Sequence, residues 1–106
     1  MTLNVYIDDQ LLAIDIPPEV LEHGEDFFAK MDRDMDLGWK IGPTYVEDPD
    51  QTMRVQIAAD KMVTAMDTDN RTLLSLMAGY IVTRIPDVKA VRIADGDPLA
   101  TEIITA

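Results

Sequence analysis

Leu3, Val5 and Ile7 alternate with Asn4, Tyr6 and Asp8, and after Asp9-Gln10 the alternation resumes with Leu12, Ile14 and Ile16. A period of two over two short runs predicts a β-hairpin with one buried face. A turn at Asp9-Gln10 would pair Ile7 with Leu12, Val5 with Ile14 and Leu3 with Ile16, so that all the apolar side chains share that face. Pro17-Pro18 ends the second strand, because proline supplies no ladder donor, and Pro18-Glu19 suits the first turn of a helix.

The period then changes. Val20, Phe27, Phe28, Met31 and Met35 recur near helical spacing and predict a first helix running from Pro18 toward Gly38, where a left-handed cap can release the chain. Residues 39–47 read as an irregular apolar connection over the core. Asp48-Pro49-Asp50 reads as an N-cap, a first-position proline and a favourable acid, predicting a second helix over 49–67. Val55, Ala58, Ala59, Met62, Val63 and Met66 share its main face, whereas Met53 and Ile57 fall on the opposite side as a spare apolar stripe.

Thr68, Asp69 or Asn70 can cap a third helix, apolar around most of its circumference and stopped by Pro86. Ser75 and Gly79, one turn apart on it, would let the second helix approach closely. Residues 88–94 and 99–105 read as two further strands around the turn signal Asp95-Gly96-Asp97-Pro98. The order ββαααββ predicts an α+β fold in a single domain, residues 1–106. Its two hairpins would join in one four-stranded antiparallel sheet, covered on one face by three helices.

Composition narrows the function classes. The chain has no cysteine, which excludes a disulfide framework, a thiolate metal site and a thiol nucleophile. Nothing resembles a signal sequence or a membrane span, so the expected address is cytoplasmic. The formal charge is −11, and residues 1–53 carry 13 acids against 3 bases, so the acidic field comes from the first half. Such a surface repels phosphate backbones and argues against direct nucleic-acid binding.

Asp32, Asp34 and Asp36 alternate in the way that calcium loops place oxygens around a hard cation. Leu37 and Pro43 nevertheless stand where such a loop needs glycine and a bidentate acid, and a solvated helix end accounts for the same acids. Three acids near a helix C-terminus oppose the macrodipole, which calls for a counter-charge such as Arg33, Lys40 or a cation. His23, the one histidine, lies among acids with no nucleophile or phosphate-loop motif beside it, and no catalytic residues are assigned.

Trp39 and Tyr45 could form a recognition surface, as could Met53 and Ile57, although core packing explains the same residues. The leading expectation is therefore a non-catalytic protein-interaction or accessory domain, without cofactor, binding a basic protein or a second copy of itself as a homodimer. The alternatives are a calcium-, magnesium- or small-ligand-binding protein using Asp32, Asp34 and Asp36, and a nucleic-acid mimic that occupies a basic surface.

Overall fold

A computed structural model describes residues 1–41, 43–94 and 96–106. The chain is α+β. Two strands, β1 (Thr2–Ile7) and β2 (Gln10–Asp15), lead into helices α1 (Pro18–His23) and α2 (Glu25–Asp36). A short hairpin of β3 (Trp39–Ile41) and β4 (Thr44–Val46) follows, then helices α3 (Gln51–Asp67) and α4 (Arg71–Arg84). The chain ends with β5 (Val88–Ile93), a 3-10 turn (Pro98–Ala100) and β6 (Glu102–Thr105). Among the described residues no helix is long and apolar enough to cross a membrane.

The first hairpin forms, but its turn is Asp8-Asp9, with φ of 50° and 63°. The strands pair as Leu3 with Ile14, Val5 with Leu12 and Ile7 with Gln10, two residues away from the expected register. A tight hairpin turn needs positive φ at its central residues, which aspartate tolerates better than glutamine. A slip of two keeps every apolar side chain on its original face, so Leu3, Val5 and Ile14 are buried as the alternation requires.

The terminal hairpins do join, in the order β2-β1-β5-β6. The central pair is parallel, with Val5 opposite Val91, so the sheet is mixed and the expectation of an all-antiparallel sheet is corrected. Alternation specifies which face a residue takes and is the same for a strand running either way; direction comes from the helical crossover between β2 and β5. The last pair also differs from a tight Asp-Gly hairpin. Asp95 lies outside the described residues, and β6 begins at Glu102, after a loop fastened to α3 by Gln56, whose side-chain amide donates to the carbonyls of Leu99 (3.1 Å) and Thr101 (3.0 Å).

The expected first helix is divided in two at Gly24, a position that only glycine fits. A Cβ there would overlap the carbonyl oxygen of Val20 and stand 2.8 Å from Phe28 Cζ. A Cβ on Gly79 of α4 would lie 2.7 Å from Val20 Cγ1 and 3.0 Å from Phe28 Cζ. The two glycines thus make the space in which Phe28 and Val20 seat α1 and α2 on α4. The close approach at Gly79 is real, but it is made by these residues and not by the second helix of the sequence reading.

Gly24→Ala tests this directly. Alanine would add about 1 kcal/mol of helix propensity, while overpacking against a backbone oxygen and a buried ring costs about 1–3 kcal/mol. The overlap with backbone cannot be relieved by a rotamer change, so a net loss of about 1 kcal/mol and a Tm lowered by about 4–8 °C are expected. A Tm equal to or above that of the wild type would refute the steric account.

Side-chain caps stand at two helix starts, although at the first the cap is Asp50 and not the expected Asp48. Asp50 caps α3 by accepting from the Met53 amide at 2.9 Å, so the helix begins two residues later than the Asp48-Pro49 reading placed it. Asn70 caps α4 in the same way, from Leu73 at 3.1 Å. Gly38 leaves α2 with φ of 100°, as its position after the last apolar residue suggested. Residues 39–47, expected to be irregular, contain the β3–β4 hairpin, although Gly42 lies outside the described residues.

That hairpin changes the environment of α3. Ile41, Trp39 and Val46 join the same hydrophobic cluster as Ile57 and Met53. The spare stripe of the sequence reading is therefore covered: Ile57 is 3% exposed and Met53 half-buried. A wheel drawn for one helix cannot show that a second surface will pack on its far side.

Candidate functional site

The left-handed turn at Gly38 brings Trp39 back against the helical layer, where it pairs across strands with Val46. Its indole forms one wall of an open groove of about 330 Å³ between β3 and α3, with Ile41, Ile57 and Leu73 also lining it. Ile41 and Ile57 are buried, so they form the apolar floor of the groove beneath the half-buried Trp39. Lys40, Asp60, Lys61 and Thr64 supply its polar lining. Lys61 holds its ammonium 4.9 Å from the Trp39 ring centroid, a cation–π geometry.

The structure thus brings together two of the four residues singled out for partner contact, Trp39 and Ile57. The other two stand elsewhere. Tyr45 is 62% exposed and pairs across strands with Lys40, while its hydroxyl donates to the Leu37 carbonyl at 3.1 Å. Met53 packs against the core cluster.

Asp32, Asp34 and Asp36 all lie within α2, and helical geometry separates them. Asp32 and Asp36 share one face and both meet Arg54, while Asp34 pairs with Lys30 at 3.1 Å on another. Among the described residues no group of three or more histidine, cysteine or acidic side chains is placed to hold a metal ion. The counter-charges that the macrodipole argument required come from α3 and α4, as Arg54 and Arg84.

These residues build a polar clamp that sequence reading missed. Asp32 accepts from the Tyr80 hydroxyl at 2.6 Å, from Arg84 Nε at 3.0 Å and from Arg54 Nη1 at 3.4 Å. Arg84 also forks onto Glu25 at 3.2 and 3.0 Å, and Arg54 reaches the carbonyls of Pro49 (2.8 Å) and Asp32 (3.1 Å). Gln51 donates to the Arg84 carbonyl. Among the described residues no buried side-chain nitrogen or oxygen lacks a partner.

Burial by itself would raise the Asp32 pKa, but the hydrogen bonds from Tyr80 and Arg84, the Arg84 charge and the Arg54 bond outweigh it and hold the carboxyl below its usual range. Burial, then the bond to Asp32 and its negative charge, push the Tyr80 phenol well above its usual range. Both shifts lead away from neutrality, so neither group is poised to exchange a proton near pH 7. Strongly shifted groups often mark active sites; here the arrangement joins α2 to α3 and α4. His23 stands apart from it, exposed and 3.8 Å from Glu22.

The only sequence signal for the clamp was the surplus of acids at the end of α2, which required cations from somewhere. Comparison of this chain with protein-family models, with curated proteins and with solved structures finds no significant match.

Proposed function

We propose that this chain is a non-catalytic protein-interaction domain whose contact surface centres on the groove beside Trp39. The observation that carries this reading is the placement of its one tryptophan, half-buried in an open groove walled by buried isoleucines. Interface energy concentrates in such places, where an aromatic side chain and an apolar pocket can exclude water around an inserted partner side chain. The acidic exterior adds long-range steering toward a partner of net positive charge. The metal-binding and mimic readings have less behind them, since Asp32 and Asp36 are engaged with Arg54 and Asp34 with Lys30.

The test compares wild type with Trp39→Ala in affinity capture from the source cell, after both are shown to fold by circular dichroism. Proteins held by the wild type are expected to lose binding by about 2 kcal/mol or more, roughly thirtyfold, in the variant. An identical set captured equally well by both would refute the groove as the contact surface. Sedimentation at high concentration covers the case in which the partner is a second copy, because self-association should then weaken in the same variant.

A further inference from the structure

Resting on that reading, we propose that the segment bound in the Trp39 groove presents an apolar side chain with a carboxylate beside it, an acidic-apolar peptide motif within a protein partner. Charge complementarity selects this motif. Of the nine bases in the chain, Lys30, Arg54, Arg71, Arg84 and Arg92 each have a carboxylate within 4.0 Å. Among the described residues Arg33, Lys40, Lys61 and Lys89 do not, and of these four Lys40 and Lys61 line the groove.

Asp60 lines the same groove and offsets one of them, which leaves this patch with a local excess of one positive charge on a protein of formal charge −11. Lys61 is held over the indole face, so its ammonium is already positioned at the apolar wall. An inserted aliphatic or aromatic side chain would fill the space between Trp39 and Ile57. A carboxylate one residue away would then meet ammonium groups that need not break an internal ion pair to receive it. The surrounding field disfavours partners that are acidic throughout, so the carboxylate belongs to a locally acidic motif on a partner that is neutral or basic overall.

The experiment uses the full chain and two capped peptides, acetyl-Gly-Leu-Glu-Gly-amide and its glutamine counterpart, which differ only in the charge beside the leucine. Binding is read from the emission of Trp39, the only tryptophan, and from amide shifts of Lys61 and Thr64 in nuclear magnetic resonance. The glutamate peptide is expected to bind about fivefold more tightly at low salt, the scale of one or two partly exposed ion pairs, with the preference falling as salt rises. Lys40→Met should reduce the preference toward unity without touching the Trp39 contact, and Lys61→Met should do so more completely.

Equal binding of both peptides would overturn the carboxylate inference and leave the groove as a contact surface. No change at Trp39, Lys61 or Thr64 with either peptide would overturn the inference and the groove reading together. A preference that survives in both lysine variants would also overturn the inference, because the charge would then be recognised elsewhere.

Discussion

Phe28→Ala is expected to lower the free energy of unfolding by about 4 kcal/mol, in the upper half of the range for removing a buried phenylalanine. The ring is fully buried and packs edge-on against Tyr80, with centroids 6.0 Å apart. The size of the loss depends on how far the site can collapse, and here the neighbours limit it. Two of the groups around the ring are Gly24 and Gly79, which have no side chain to rotate into the space.

A domain of this size has a total stability of about 5–15 kcal/mol. The variant should therefore melt at least about 15 °C lower, and it should unfold at markedly lower urea with an unchanged slope. Phe28→Leu, which refills most of the volume, should lose less than half as much. A loss below about 1.5 kcal/mol for the alanine variant would show that Phe28 is not the piece holding α2 on α4.

Asp32→Ala should follow, at about 2–3 kcal/mol. Breaking a fully buried ion pair by removing one partner costs about 3–5 kcal/mol, and the Asp32 side chain is 28% exposed, which lets water replace part of what is lost. The variant leaves Arg84 and Arg54 short of an acceptor and Tyr80 without its hydroxyl partner. Tyr80→Phe removes only the neutral donor and should cost about 1 kcal/mol. Combining the two should cost less than the sum of their separate effects, because they share a hydrogen bond.

The pH dependence gives an independent check of the same cluster. Asp32 has a depressed pKa in the folded state, so its contribution is present above the ordinary value of 3.8 and is lost as the pH falls through the folded-state value. The stability gap between wild type and Asp32→Ala should accordingly narrow below about pH 4. Tyr80 has the opposite sign. Its folded-state pKa is raised, so its contribution is complete below the ordinary 10.0 and declines as the pH rises beyond it. Tyr80→Phe should remove that alkaline decline, and urea titrations across the pH range would measure both effects. A constant gap at acid pH would indicate that Asp32 is not ionised against the arginines.

Much of the candidate site was visible in the sequence as single residues and invisible as a place. Trp39 and Ile57 could each be named because a lone tryptophan and an apolar residue on a polar helix face are conspicuous by type. Their meeting could not be foreseen, because it depends on a three-residue strand that helical and strand periodicities are too short to reveal. Nothing near Lys61 in sequence indicates an indole beneath its ammonium. The acids of α2 were conspicuous for the same reason as Trp39. Their partners, Arg54, Tyr80 and Arg84, sit 22, 48 and 52 positions away and look like ordinary helix residues until α3 and α4 are packed.

What the sequence by itself determined is everything governed by interactions within a few residues. That includes which face of the first hairpin is buried, the presence of capping residues just before α3 and α4, the left-handed exit at Gly38, and the proline that follows the end of α4. These rest on backbone dihedral preferences and on hydrogen bonds that close over three or four positions, so neighbouring residues suffice to specify them. Only the tertiary structure decided that β5 runs parallel to β1, that Gly24 and Gly79 make room for one ring, that Gln56 fastens the last loop, and that the groove beside Trp39 carries two lysines. Each of these joins residues remote along the chain, and such contacts are selected by how the layers pack together as a whole, a property that no local window of residues contains.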